Sequence, residues 1–143
     1  KRWNYMRRQA ESQFVKPDRP MIFASDTDPD ACQKLENCVQ KYDMSDAVQV
    51  HSRDFFDLDH RKLTDRKGVI CINPPYGRRL GGRSESEKFF QQICKRLKRE
   101  YRGWNLIMFA PSRKLAATIP FQTKSYPIRH GGLKLTLLIG KVQ

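Results

Sequence analysis

Residues 68–77, Gly-Val-Ile-Cys-Ile-Asn-Pro-Pro-Tyr-Gly, restrict the folding of this 143-residue chain more than any other stretch. An apolar run of this length closed by turn residues predicts a short buried strand. The two prolines stop it. Each proline fixes its own φ and lacks an N–H, and the residue before a proline is pushed into extended geometry, so Asn73 and Pro74 are both held in a stiff loop. Carbonyls that cannot join a ladder stay free to accept hydrogen bonds, and the Asn73 side chain adds an acceptor beside the Pro74 carbonyl. Two acceptors facing one exocyclic NH2 would fix both its hydrogens and draw the nitrogen toward a pyramidal, more nucleophilic geometry. Tyr76 offers a stacking face for the ring that bears such an amine, and Gly77 lets backbone approach closely. The pattern points to chemistry on a planar nitrogen.

Two strand-to-turn units precede this loop. Residues 21–25, Met-Ile-Phe-Ala-Ser, read as a strand that runs into Asp26-Thr27-Asp28-Pro29-Asp30. Asp28 suits a helix N-cap, Pro29 the first helical position and Asp30 the first turn. Ala31, Leu35, Cys38, Val39 and Tyr42 then recur at helical spacing. In an open α/β sheet an acid at the carboxyl end of a strand can bond ribose hydroxyls, which makes Asp26 a candidate. Residues 47–51 predict the next strand, followed by Asp54 and Phe55, with Asp57 read as a turn residue.

Residues 72–80, Ile-Asn-Pro-Pro-Tyr-Gly-Arg-Arg-Leu, resemble motif IV of the S-adenosylmethionine-dependent amino-methyltransferases. The Gly-x-x-Leu continuation is most similar to the THUMP-associated (UPF0020) RNA methyltransferases, and within them to the bacterial large-subunit rRNA guanine-N2 enzymes. The resemblance implies catalytic roles for Asn73, Pro74 and Tyr76, which would orient and stack the target base. It implies that Asp26 binds the cofactor ribose, that Asp54 accepts from the adenine amino group and that Phe55 packs on that ring. The implied cofactor is S-adenosylmethionine, and the implied substrate is the guanine N2 of 23S rRNA. Asn-Pro-Pro-Tyr also occurs in DNA adenine-N6 and protein glutamine-N5 methyltransferases, so those reactions stand as alternatives. A non-catalytic RNA-binding role for this segment is the alternative from another class.

The same resemblance exposes a departure. The Asp-Pro-x-Cys-Gly-Ser-Gly turn that opens the cofactor-binding fold in this group has no counterpart here, since Gly81-Gly82 and Gly131-Gly132 lie in the wrong places. Residues 1–20 resemble the connection that follows the first helix, with Trp3 as one similarity. The expected fold is therefore an α/β, Rossmann-like class I methyltransferase fold without its first strand. Residues 1–143 would form the C-terminal part of one catalytic domain, which would bind cofactor weakly by itself.

Twenty-eight Lys and Arg against fifteen Asp and Glu give a formal charge of +13, a level at which phosphate contacts are expected. Arg78, Arg79 and Arg83 adjoin the proline loop and are the candidate RNA contacts. The basic run at residues 95–102 reads as the solvated face of a helix, with an extended RNA track as the alternative. No apolar stretch approaches the roughly 18 to 20 residues of a membrane span. Cys32, Cys38, Cys71 and Cys94 lack Cys-x-x-Cys spacing and read as reduced packing residues of a cytoplasmic protein. The three histidines show no ligand spacing, so no metal site is expected, and oligomeric state is not legible.

The second half continues the α/β pattern. Ser84 and Glu87 read as a capping box, with Phe89, Phe90, Ile93, Cys94, Leu97 and Tyr101 as the buried face of a helix ending near Gly103. Residues 104–110 predict a buried strand stopped by Pro111, and residues 112–117 a short helix. Residues 125–129 and 134–139, joined through Gly131-Gly132, predict a terminal antiparallel hairpin.

Overall fold

A computed structural model of the protein describes residues 2–75, 83–130 and 132–143, without the side chains of Arg83 and His130. The chain divides into two compact units, Lys1–Leu63 and Thr64–Gln143.

In the first unit the order is α1 (Arg2–Gln13), β1 (Ile22–Asp26), α2 (Pro29–Lys41) and β2 (Val48–Ser52), then a 3-10 turn at His60–Lys62. β1 and β2 are parallel, with Asp26 level with Ser52. Parallel neighbours need a crossover, and α2 supplies it. Its start follows the chemistry of residues 28–30. Asp28 is the N-cap, its carboxylate accepts from the backbone N–H groups of Asp30 and Ala31, and Pro29 opens the helix. The Cys32 thiol lies 3.6 Å from both the Asp26 and His51 carbonyls, tying the first turn of α2 to the ends of both strands.

The buried line of α2 differs from the expected one. Cys32 and Val39, seven residues apart, are buried, whereas Leu35, Cys38 and Tyr42 are exposed. Two strands make a narrow sheet, and only one line of side chains on the helix reaches it. α1 was expected only as part of a connection; it is a helix with no buried residue.

The second unit runs β3 (Val69–Ile72), α3 (Arg83–Glu100), β4 (Asn105–Ala110), α4 (Arg113–Ala116), β5 (Thr123–His130) and β6 (Leu133–Lys141). Its sheet order is β3-β4-β6-β5. β3 and β4 are parallel, while β4–β6 and β5–β6 are antiparallel. The expected terminal hairpin is therefore present, and it makes the sheet mixed. Phe90, Ile93, Leu97, Leu106, Met108, Leu138 and Val142 are buried almost completely and form the core. Along β4 the buried positions alternate through Leu106, Met108 and Ala110, the period of a strand that shows one face to a core.

α3 begins by Arg83, so Ser84 lies inside the first turn and the expected capping box does not mark the helix start. Phe90, Ile93, Cys94, Leu97 and Tyr101 are buried as expected, and Arg96 joins them. Its guanidinium Nε is 2.9 Å from the Glu100 carboxylate one turn on, which offsets the cost of burying the charge. Gly103 then takes φ +85° and its N–H donates to the Val142 carbonyl at 2.8 Å, so the chain turns from helix into β4 against the end of β6.

Candidate active site

In the first unit the acidic candidates gather at one edge. Parallel pairing puts the carboxyl ends of β1 and β2 side by side; Asp26 ends β1, and Asp54 follows Ser52, the last residue of β2, by two residues. Asp26 is exposed, and one of its oxygens accepts the Asp28 N–H at 2.9 Å. One oxygen of the half-buried Asp54 accepts the Phe56 N–H at 2.8 Å. Each carboxylate is thus pinned by a two-residue turn through one oxygen. The second oxygen of each remains for a ligand hydroxyl or amine, a donor set that fits an adenosine. Phe55 is half-buried and meets Phe56 edge to face, with ring centroids 5.3 Å apart at 66°. Asp57 sits in the turn after Asp54, its N–H donating to the Asp54 carbonyl at 3.0 Å.

In the second unit Asn73 leaves the carboxyl end of β3. Ile72 is level with Met108, and β4 continues to Ala110, so the proline loop emerges beside the last residues of β4. Pro74 is buried, whereas Asn73 and Pro75 are exposed. The buried Pro74 anchors the start of the loop, with Asn73 exposed beside it. Ser112 follows the end of β4 and caps α4, its hydroxyl accepting the Leu115 N–H at 3.2 Å. Tyr76, Arg78 and Arg79 lie outside the described residues, and Arg83 is placed only as the first residue of α3.

Charge divides sharply between the units. The first has eleven basic and eleven acidic residues, while the second has seventeen Lys and Arg against four Asp and Glu. The whole formal excess of +13 therefore belongs to the unit that carries Asn73. Cysteines divide too. Cys32 and Cys94 are buried, but Cys38 and Cys71 are exposed, which corrects the expectation that all four are packing residues. Among the described residues no group of His, Cys, Asp or Glu is arranged to hold a metal ion, and no helix is long and apolar enough to cross a membrane.

The family model for the RMKL-like methyltransferase domain, UPF0020, matches residues 1–138. The chain belongs to that family. The Synechocystis protein slr0064 is 30% identical over 118 residues, covering 82% of this chain and 30% of its own length. The ribosomal RNA large subunit methyltransferase K/L of Ectopseudomonas mendocina is 28% identical over 145 residues, covering 99% of this chain and 20% of its own. The chain thus spans a third or less of the length of these relatives. Among solved structures, SMU.472 complexed with SAH superposes with a TM-score of 0.77 at 18% identity, covering 98% of this chain and 36% of that one. The fold is that of the class I methyltransferases, with the antiparallel hairpin closing a mixed sheet.

One feature of the second unit departs from its sequence pattern. Residues 95–102 read as one basic face, but the structure separates them. Arg96 is buried and Arg99 contacts Glu100, whereas Lys95 and Lys98 border an open groove. The signal was present in the spacing, since Phe90 and Cys94 fall on one line of the helix and Gln91, Lys95 and Lys98 on the next.

Proposed function

We propose that this chain is the part of an S-adenosylmethionine-dependent RNA methyltransferase that positions the target base and the cofactor adenosine, and that the target is the guanine N2 of 23S rRNA. The observation that carries the reading is the placement of Asn73: an exposed amide at a strand end, on a loop anchored by the buried Pro74. Its side-chain oxygen and the Pro74 carbonyl are the two acceptors for the exocyclic amine, and Tyr76 stacks on the base. Positioning of this kind supplies most of the acceleration, because no covalent enzyme nucleophile is needed. The base must leave its stack to reach the strand end, at a cost of a few kcal/mol that is smallest in single-stranded or loop RNA.

Asp26, Asp54 and Phe55 would hold the adenosine of S-adenosylmethionine, which when bound supplies the electrophilic methyl group. Their free carboxylate oxygens and the adjacent aromatic pair support that role. Arg78, Arg79 and Arg83 would meet substrate phosphates, consistent with the charge of their unit. The names of the K/L relatives and the SAH-bound structural neighbour support the choice of RNA and of cofactor. A cytoplasmic setting follows from an rRNA substrate.

The test is methyl transfer by the full-length protein from labelled S-adenosylmethionine to ribosomal RNA, followed by nucleoside analysis. N2-methylguanosine is expected. Methyl label only in DNA adenine or in a protein glutamine would replace the RNA reading. Asn73→Ala should lower turnover severely and leave RNA affinity nearly unchanged. Near-normal turnover would remove Asn73 from the mechanism.

A further inference from the structure

A groove of about 360 Å3 crosses the second unit, lined by Phe90, Gln91, Cys94, Lys95, Lys98, Thr118 and Pro120. That volume lies at the lower end of small-molecule sites, which run about 300–1,000 Å3. Among the described residues, none of the lining residues belongs to β3 or to residues 73–75. Phe90 and Cys94, one turn apart on α3, sit at its base with little exposure. Pro120, in the segment between α4 and β5, adds another apolar contact.

One edge is built by α3. Lys88, Gln91, Lys95 and Lys98 are exposed at spacings of three, four and three, a nearly straight line about 15 Å long at 1.5 Å per residue. Residues 88–99 contain no acid. Lys95 and Lys98 project from the groove edge one turn apart, and the exposed Arg102 continues the line past the helix. An apolar cleft with an amide and two ammonium groups along one side offers a base a dry surface and its flanking phosphates two cations.

We propose that this groove seats a nucleotide of a single-stranded or looped RNA segment, with Lys95 and Lys98 on the backbone phosphates and the base against Cys94 and Pro120. The proposal rests on the RNA substrate of the preceding reading and extends it to a second place on the same unit. RNA is the occupant that uses both parts of the lining, a flat apolar surface for a base and cations for its phosphates, on the unit that holds the entire net positive charge. The contacts fix RNA position and leave the choice of methylated base to the proline loop.

The experiment measures binding of a short fluorescein-labelled single-stranded RNA to the full-length protein between 50 and 200 mM salt. Each lost phosphate contact lowers the slope of log affinity against log salt by about 0.7 for single strands. Lys95→Gln with Lys98→Gln should therefore lower it by about 1.4, so that the fourfold rise in salt costs the variant about sevenfold less affinity than wild type. Lys34→Gln with Lys41→Gln, an equal charge change on α2, should leave the slope alone. Thr118→Trp fills the groove without changing charge; it should weaken RNA binding at constant slope. An unchanged slope for the Lys95 and Lys98 double variant overturns the phosphate contacts, and full affinity in Thr118→Trp overturns the base seat. Binding of a labelled Glu/Phe peptide that depends on both lysines, with RNA binding unaffected, would assign the groove to a protein partner instead. Methyl incorporation by the wild type is read separately. Its absence, with the slopes as expected, overturns the proposed reaction and leaves the RNA groove standing.

Discussion

Gly140 offers a sharp test of how the sheet beneath the proline loop is assembled. It lies on β6 opposite Thr123 of β5, and its backbone angle is one that any residue can adopt. Judged from a strand alone, Gly140→Ala should stabilise, because glycine in a strand interior is unfavourable by roughly 0.5–1 kcal/mol relative to alanine. The structure reverses that sign. A Cβ built at Gly140 would lie 2.2 Å from the Gln122 carbonyl oxygen, 2.7 Å from Thr123 Cγ2 and 3.0 Å from Thr123 Cα. The nearest atom is backbone, which no rotamer change can move aside, so the start of β5 must separate from β6. Overpacking of this kind costs about 1–3 kcal/mol, and each ladder hydrogen bond lost with it adds roughly 0.5–1.5 kcal/mol. We expect a net loss of about 2–4 kcal/mol in the second unit.

The assay is urea unfolding followed by Trp104 fluorescence. Trp104 belongs to that unit and packs edge to face on Tyr101, with centroids 5.5 Å apart, while Trp3 is 71% exposed and can be replaced by Phe to isolate the signal. Gly132→Ala is the control, because its φ of +79° strains any side chain but nothing lies within 4 Å of the added Cβ. That control should cost only about 1–2 kcal/mol. A Gly140→Ala variant as stable as wild type, or less affected than Gly132→Ala, would refute the argument from backbone contact.

Three further expectations rest on equally local features. Leu97, fully buried on α3, should cost about 2–5 kcal/mol on truncation to Ala in the same urea assay, and a loss below 1 kcal/mol would show that α3 is not seated on the sheet. Asp28→Ala removes the acceptor for two N–H groups at the start of α2 and should cost about 1 kcal/mol, while Asp28→Asn should retain most of the stability; an Asp28→Ala variant as stable as wild type would mean that the cap contributes nothing. Brief iodoacetamide treatment should label Cys38 and Cys71 before Cys32 and Cys94, with peptide mapping as the readout and early modification of Cys94 as the contrary result. Burial pushes the Cys94 thiol up to about 11, so between its ordinary value and that point the folded protein keeps a proton that the unfolded chain has lost. Its contribution to stability is therefore complete at lower pH and falls as pH rises through this window. Cys94→Ala should flatten the decline.

Much of the local structure could be read from the sequence because the signals are short-range. Asp28 and Pro29 start α2 where their chemistry places a cap and a first turn, and Pro111 follows the last residue of β4. The terminal hairpin was legible from its two strand patterns and the glycine pair between them. Ser84 misled because a capping box reads the same one residue inside a helix as at its cap. Cys38 and Leu35 misled because helical spacing fixes which residues share a face, and not how wide a sheet that face will meet.

What the sequence determined by itself is the order of elements from β1 onward and the stiff exit at Asn73, since capping, proline geometry and strand alternation depend on neighbours a few residues away. Only the tertiary structure decided which side chains are covered. It buried Arg96 beside Glu100 and left Lys95 and Lys98 at a groove, although all three stand within four positions of one another. It also set Gly140 against a carbonyl eighteen residues earlier, at Gln122, with no room for a Cβ. The physical reason is that burial is set by the partner surface brought across the sheet, and that surface is not written in the local pattern.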